Sequence, residues 1–240
     1  MFREIKKKQL ILDSRKPYTN EIQGHINELD ALDWIYCSMK LAGSAFTRSQ
    51  VEYVLKGGFI HDISLNDHAL IERHRHLYNS AANMLEMSFS LNKKMLFTFA
   101  KKLMDTEDIS YRKSNLVIDA FNYNPPHPQE IDEQMEFLMN WFYSDDMDTN
   151  PILKAACLHH KIIEVYPFDS CSEAVARAAM CYYLMENGYH AFELNISQRE
   201  YNMSITEYLK NEDIMPFYKV VEANLMNKTE ILMEITKGVN

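Results

Sequence analysis

One helix–loop–helix unit constrains the fold of this chain more than any other stretch. Apolar residues recur every three or four positions on both sides of a short loop, the spacing typical of buried helices. They are Leu158, Ile162, Ile163 and Val165 before it, and Val175, Ala178, Ala179, Tyr182 and Tyr183 after it. Pro167 and Phe168 fix the junction, because proline removes a backbone donor and phenylalanine can anchor the loop in the core. The pattern predicts a two-helix core over about residues 155–186, with any chemistry located in its loop.

The rest of the chain favours an all-α fold. It contains only 6 Gly and 7 Pro in 240 residues, and long stretches show helical periodicity. Further helices are predicted over residues 20–40, 47–56, 66–85, 93–105, 130–143, 198–210 and 216–226. Thr47 followed by Gln50 forms a capping box, and Gly57 ends that helix. The single predicted strand covers residues 114–119, before a turn-rich corner at 122–128.

The domain organisation expected from this pattern is simple. Residues 1–19 are polar and basic, so we expect an extended or loosely docked arm. Residues 20–240 are expected to form one domain, since a chain of this length can bury a sizeable core. The helix at 66–85 carries a face rich in His and Arg, which we interpret as solvated rather than as a metal site. The residues of that face are His68, Arg73, His74, Arg75 and His76.

Charge and cysteine spacing narrow the function classes. The net charge of −9 does not indicate a basic surface of the kind that binds nucleic acid, so a nucleic-acid partner is not expected. Cys37, Cys157, Cys171 and Cys181 form no CxxC pair, so neither a zinc site nor a disulfide framework is indicated. No apolar run reaches the roughly 18 residues of a membrane span, so no membrane partner is expected. These features favour a reducing, cytoplasmic location.

The loop carries the residues of a family resemblance. From Tyr166 to Arg177 the sequence is Y-P-F-D-S-C-S-E-A-V-A-R. This frame resembles the signature HxFx(D/E)GNGRxxR of the Fic family, which transfers a nucleotide monophosphate, usually AMP from ATP, to a hydroxyl side chain of a target protein. Phe168 and Arg177 match the signature. The six other defining positions hold Tyr166 for the base His, Ser170 for the metal-binding acid, Cys171 and Glu173 for the two Gly, Ser172 for Asn and Ala174 for the first Arg.

Two more segments are similar to parts of that family. The run Leu116, Val117, Ile118, with Pro125 after it, resembles the flap that binds the target, and its proline corner. Within residues 20–44, Ser38, Ala42 and Gly43 occupy the frame (S/T)xxxE(G/N) of an N-terminal inhibitory helix, with Ala42 in place of the acid. The resemblance therefore implies a Fic-type helical bundle with a short β-hairpin flap. It also places Lys210 where the family has an Asn that contacts the nucleotide.

The altered loop residues bear directly on nucleotide chemistry. A Gly-Asn-Gly loop before a helix lets backbone N–H groups approach a phosphate. Cys171 and Glu173 add side chains there, and Ala174 lacks the guanidinium that would clamp the anion. Ser170 supplies no carboxylate for Mg²⁺. We therefore expect the protein to bind no cofactor. Binding of ATP and Mg²⁺ is expected only if nucleotidyl transfer is retained.

Two side chains of the frame are given structural roles by the sequence. Tyr166, with an ordinary pKa of about 10, would be only about 0.1% ionised at neutral pH, so we expect it to fill the space of the imidazole and bond a neighbour. Arg177, the remaining nucleotide-loop cation, is expected to pair with Glu173 four residues earlier, since Ala42 cannot accept from it.

Three functional hypotheses follow. The first is a pseudoenzyme that acts as a binding or regulatory module, with a protein partner and a homodimer among its expected assemblies. The second is a nucleotidyl or phosphoryl transferase that modifies a protein hydroxyl through Asp169, Tyr166 or Cys171. The third is a structural partner of an active Fic protein in a hetero-oligomer.

Overall fold

Ten α-helices are present in the described part of the chain. The computed structural model describes residues 1–144 and 150–238. The helices are α1 (Phe2–Ser14), α2 (Asn20–Leu41), α3 (Arg48–Leu55), α4 (Leu65–Glu86), α5 (Lys93–Met104), α6 (Ile131–Tyr143), α7 (Pro151–Val165), α8 (Ser172–Glu186), α9 (Gln198–Asn211) and α10 (Met215–Ile235), with one 3-10 turn at Pro128–Glu130. Apart from one isolated bridge, the described residues contain no β-structure, and the predicted all-α fold is confirmed.

The pair α7 and α8 forms the centre of the core. Ala155 and Ala156 on α7 and Ala176 and Ala179 on α8 are fully buried, and their small side chains let helices approach closely. Asn150 caps α7 by accepting from two backbone N–H groups, and proline occupies the first helical position. The predicted helix–loop–helix is confirmed, and the other helices pack around it.

Side-chain caps explain where several helices begin. Thr19, Ser64 and Asn92 each accept a backbone N–H bond at the start of α2, α4 and α5. The capping box of Thr47 and Gln50 forms as predicted. The last helix is longer than predicted. It continues to Ile235 rather than ending near residue 226, because Leu225 and Leu232 remain on its buried face.

The N-terminal segment differs from the sequence expectation. Residues 2–14 form α1, which packs against α10, so the prediction of an extended or loosely docked arm is wrong there. Ile5 and Leu12, two helical turns apart, are both buried. Arg15 also donates from Nη1 to the Met233 carbonyl at 2.8 Å. Apolar burial on one face and polar contacts to α10 together dock this helix.

The flap is less regular than predicted. Ile118 and Tyr123 form a single antiparallel bridge, with N–H to carbonyl distances of 2.9 and 3.3 Å. The predicted strand over 114–119, and with it the full hairpin, is wrong. Asn122 turns the chain with a φ of 49°, and Pro125 and the proline after it lack the N–H groups that a longer ladder needs.

A buried ion network docks α2 onto its neighbours. Lys228 of α10 contacts Asp30 at 2.8 Å and Asp33 at 2.7 Å, and its side chain is only 2% exposed. Arg48 reaches Asp33 at 2.6 Å, and His190 Nδ1 lies 2.7 Å from Asp30. Together with Ile26, Ile35 and other apolar residues, the network keeps α2 against the core, although Ala42 provides no acid.

One face of α4 is also different from its prediction. His74 is 3% exposed and faces the core, so the interpretation of that face as solvated is wrong at this residue. Burial lowers the pKa of His74 to about 3. His68 stacks on Phe59 with ring centroids 4.4 Å apart.

Within the described residues, no helix has the length and apolar character required to cross a membrane.

Replacing the buried cation should destabilise the fold strongly. Lys228→Met removes the ammonium group that contacts Asp30 and Asp33. Loss of one partner from a buried ion pair lowers the free energy of unfolding by about 3 to 5 kcal/mol. Urea denaturation of both proteins measures this difference. The matched control is Lys237→Met, because that lysine pairs with Glu234 at the surface, where both side chains are more than 70% exposed. Equal effects of the two substitutions would contradict the account.

Candidate functional site

The loop between α7 and α8 is closed on itself by a side chain. Ser172 Oγ accepts from the Phe168 N–H and donates to the Phe168 carbonyl, both at 2.8 Å. Phe168 is 2% exposed and packs edge-on against Phe97, with centroids 5.4 Å apart. The loop is therefore anchored by its phenylalanine as expected, and Ser172 is fully buried with its hydroxyl committed to the loop backbone.

Tyr166 ends α7 in a left-handed conformation. Its φ is 47°, and its N–H donates to the Ile162 carbonyl at 2.9 Å. The ring is buried, and the hydroxyl donates to Glu173 Oε1 at 3.2 Å. Burial, and then the charge of Glu173, raise the pKa of Tyr166 well above its ordinary value. At neutral pH this phenol is protonated and is no proton acceptor.

Glu173 occupies the N-terminus of α8. It is the second residue of that helix, where free N–H groups and the helix dipole attract an anion. The chain thus carries a carboxylate of its own in the first turn of this helix. Ala174, the following residue, has no side-chain donor for an anion. Cys171 precedes the helix and is 6% exposed; burial raises the pKa of its thiol to about 12, so the thiol is protonated.

Ser170 and Asp169 are exposed and turn to different neighbours. Ser170 Oγ lies 3.3 Å from Met104 Sδ, and Asp169 Oδ1 lies 3.5 Å from Ser114 Oγ at the start of the flap. Asp169 therefore faces the flap and not the N-terminus of α8. Among the residues that the structure describes, no group of three His, Cys, Asp or Glu side chains is placed to bind a metal ion.

Arg177 contacts α2 instead of the loop. It is 6% exposed and donates from Nη2 to the Ser38 carbonyl at 3.1 Å and from Nε to Ser38 Oγ at 3.4 Å. Its Nη1 donates to the Tyr201 hydroxyl at 3.2 Å. The expected pair with Glu173 is wrong. Glu173 is engaged by Tyr166, and Ser38 lies in the last turn of α2, where the carbonyls carry the negative end of the helix dipole.

The other positions of the inhibitory frame terminate α2. Ala42 is its C-cap, and its methyl group offers no acceptor. Gly43 follows with a φ of 84°, and a Cβ there would lie 3.2 Å from the Gln198 amide nitrogen. Ser38, and not the position of the acid, therefore provides the contact between this helix and Arg177.

A buried polar chain continues from Arg177 and was missed in the sequence. The Tyr201 hydroxyl accepts from Arg177 and donates to His159 Nε2 at 2.9 Å, because the guanidinium cannot accept. His159 Nδ1 then meets His160 Nδ1 at 2.9 Å. Burial lowers the pKa of His159 far below its ordinary value and that of His160 to about 3. The sequence did contain a signal for this buried chain, namely two adjacent histidines, His159 and His160, on a largely apolar helix.

The flap exposes an open edge of backbone. Val117 is 67% exposed, and Leu116 is half-buried. In the described part of the chain, no backbone hydrogen bond is made by residues 115–117. The Tyr123 hydroxyl donates to the Glu164 carbonyl at 2.9 Å and ties the far side of the flap to the end of α7. A segment with free backbone donors and acceptors is able to pair with an added strand.

Comparison with known proteins supports the family resemblance. Residues 90–184, from just before α5 into α8, match the model of the Fic/DOC family. The similarity to that family is established over this segment of the chain. It is 27% identical to a protein adenylyltransferase Fic of Nematostella vectensis over 112 residues, which are 46% of this chain and 26% of that protein. It is 30% identical to a probable protein adenylyltransferase of Aquifex aeolicus over 79 residues, 32% of this chain and 24% of that one.

Solved structures show that the Fic fold extends over the whole chain. A Fic domain containing signaling protein from Bacteroides thetaiotaomicron superimposes with a TM-score of 0.82 and 19% identity, and 98% of each chain is covered. Fic-1 from C. elegans gives a TM-score of 0.79 at 16% identity, covering 98% of this chain and 70% of that one. The matched segments span only about a quarter of the curated relatives.

The buried histidines make the stability of this chain dependent on pH. Their folded-state pKa values lie below the unfolded value of about 6.5, so the stabilisation is complete above that pH and is lost as the pH falls towards about 3. The free energy of unfolding should decline by about 1.4 kcal/mol per pH unit for each such histidine.

A matched pair of variants tests this pH dependence. His160→Asn keeps an acceptor for His159 but does not titrate, so its plot of unfolding free energy against pH should be flatter than that of the wild type by one histidine. His76→Asn, at an exposed position on α4, should keep the wild-type slope. Urea denaturation from pH 7 to pH 4.5 provides the data. Identical slopes for His160→Asn and the wild type would refute the account.

Proposed function

We propose that this protein is a Fic-fold pseudoenzyme that lacks nucleotidyl transfer and acts as a protein-binding or regulatory module. One observation carries the proposal. Glu173 lies in the first turn of α8, where the family frame would seat a phosphate, and its carboxylate accepts a hydrogen bond from Tyr166. An ATP phosphate would have to displace a negative charge of the protein itself and would gain no guanidinium from Ala174.

The magnitudes support the same proposal. A positioned general base contributes about 10² to 10⁴ in rate, and one donor to the developing charge about 10² to 10³. Tyr166 cannot serve as the base at neutral pH, and Ser170 offers Mg²⁺ no carboxylate. These losses are not additive, but together they should leave transfer close to absent.

The alternative, a transferase with a non-standard site, receives little support from the side chains it needs. Tyr166 and Cys171 both have raised pKa values, so neither is an anionic nucleophile near neutral pH. Asp169 is exposed but lies beside Ser114 of the flap. Arg177, the remaining cation of the signature, has all of its observed hydrogen bonds to α2 and α9.

The flap is the part of the site for which a binding role is favoured. Residues 115–117 offer free backbone N–H and C=O groups, and an extended peptide can add a strand to such an edge. Hydrogen bonds between the two backbones would provide affinity, and pockets for every second side chain of the bound peptide would provide specificity. Under this proposal, capture of a protein segment persists after catalysis is lost. A homodimer or a hetero-oligomer with an active Fic protein, in the cytoplasm, is part of the same proposal.

Transfer activity should be undetectable. The protein is incubated with Mg²⁺ and labelled ATP, and separately with labelled GTP, CTP and UTP, and protein-bound label is measured. Tyr166→His should also remain inactive, because the phosphate position still holds Glu173. A Fic adenylyltransferase with the complete signature serves as the positive control. Clear labelling of any protein by the wild-type chain, itself included, would overturn the proposal.

Binding by the flap should depend on one backbone donor. Val117→Pro removes the N–H of an exposed, unpaired residue, so proteins captured by the wild type should no longer bind. Far-ultraviolet circular dichroism should remain unchanged, because no helix includes this position. Val117→Ala keeps the donor and should retain binding. Equal capture by the Pro and Ala variants would show that the flap only covers the loop.

A further inference from the structure

Arg112 is one of the largest fully buried side chains, at 2% exposure, and it lies just before the flap. Its Nε donates to the Tyr166 carbonyl at 2.8 Å, and its Nη1 donates to the Ser114 carbonyl at 3.0 Å. Its Nη2 donates to the Pro126 carbonyl and lies 3.5 Å from that of Val165. One guanidinium thus joins the entrance of the flap, its exit and the end of α7.

The backbone of the same residue adds to this connection. The Arg112 N–H donates to the Pro167 carbonyl at 2.9 Å, so main chain and side chain both attach to the loop between α7 and α8. Tyr166 can present its carbonyl to Arg112 because its left-handed conformation turns the peptide away from the axis of α7. The substituted residue at the signature His position therefore contacts the flap through its backbone and Glu173 through its side chain.

The charge of Arg112 is not neutralised by direct contact. Within the described residues, no carboxylate lies close enough to form an ion pair with it. Burial lowers its pKa, and the charge of Asp169 opposes that shift. A buried cation is costly unless its donors are satisfied. Here carbonyls from three segments satisfy them, so any movement of the flap would leave part of a buried charge without acceptors.

We propose that Arg112 is the positioning residue of the flap and holds residues 114–126 in the arrangement that leaves the backbone of 115–117 free for a partner strand. The proposal rests on the binding role given to the flap above. A planar guanidinium presents donors on three separate nitrogens in a rigid fork, whereas a lysine ammonium has all its donors on one nitrogen and cannot span acceptors that lie on different sides of the guanidinium. Tyr123 adds a second attachment through its bond to the Glu164 carbonyl.

Hydrogen exchange of individual backbone amides tests this role. In Arg112→Lys, the amides of Ile118 and Tyr123, which form the flap bridge, should exchange at least about tenfold faster, the effect expected from losing a hydrogen bond made by a charged group. Amides in the middle of α10 should keep their wild-type rates. Lys113→Gln, at the exposed neighbouring position, is the matched control and should change neither set.

A second variant covers the case in which Arg112→Lys does not fold. Asp169→Asn removes the carboxylate that supports Arg112 and lies at an exposed position, so it should accelerate the same two amides by a smaller factor. Unchanged bridge amides in a folded Arg112→Lys, or equal acceleration of α10, would overturn the positioning role. So would unfolding of Arg112→Lys together with unchanged bridge amides in Asp169→Asn.

The same exchange data separate this inference from the proposed function. If the bridge amides respond as expected but the wild type captures no protein, Arg112 still positions the flap and the binding function fails. If Val117→Pro abolishes capture while Arg112→Lys leaves both capture and exchange unchanged, the binding function stands and the role of Arg112 fails.

Discussion

The hydrogen bond from the Tyr166 hydroxyl to the Glu173 carboxylate joins the end of α7 to the first turn of α8. A helix N-terminus at the end of a short loop can attract an anion, because its N–H groups have no partners within the helix. Here the first turn contains a carboxylate of the protein itself, and that carboxylate is bonded to the C-cap residue of α7. The loop is closed further by Ser172, whose hydroxyl is bonded to both the N–H and the carbonyl of Phe168. Tyr166, Phe168 and Ser172 are all buried, so the loop is part of the core.

The position of Arg177 follows from that closure. With Glu173 engaged, the guanidinium finds its acceptors on α2 and α9, at Ser38 and Tyr201. The contact with α2 resembles the acid–arginine pair expected for the inhibitory helix, but the acceptor is mainly a backbone carbonyl, so no acidic side chain is required. The network around Lys228 fixes the same helix nearer its middle, at Asp30 and Asp33. We therefore regard α2 as a permanent part of the core rather than as a displaceable inhibitor.

The sequence predicted the helical architecture well because apolar periodicity and capping residues are local signals. Thr47 and Gln50 form their capping box, and Phe168 anchors the loop. It failed where a long-range contact decides the outcome. Arg177 had a local partner available in Glu173 but is bonded to Ser38, far away in the chain. Nothing local marks Arg112 as buried, since its carbonyl acceptors come from segments that meet only in the folded protein. The predicted strand failed because Ile118 has one bridge partner before the prolines intervene.

The central claim is that the phosphate position of this Fic fold is filled by the protein itself, and titration calorimetry with ATP and Mg²⁺ tests it most directly. The wild-type chain is predicted to give no binding heat up to millimolar nucleotide, because Glu173 repels the phosphates and neither Ala174 nor Arg177 is available to clamp them. A dissociation constant in the micromolar range, weakened by a substitution in the loop between α7 and α8, would contradict the account.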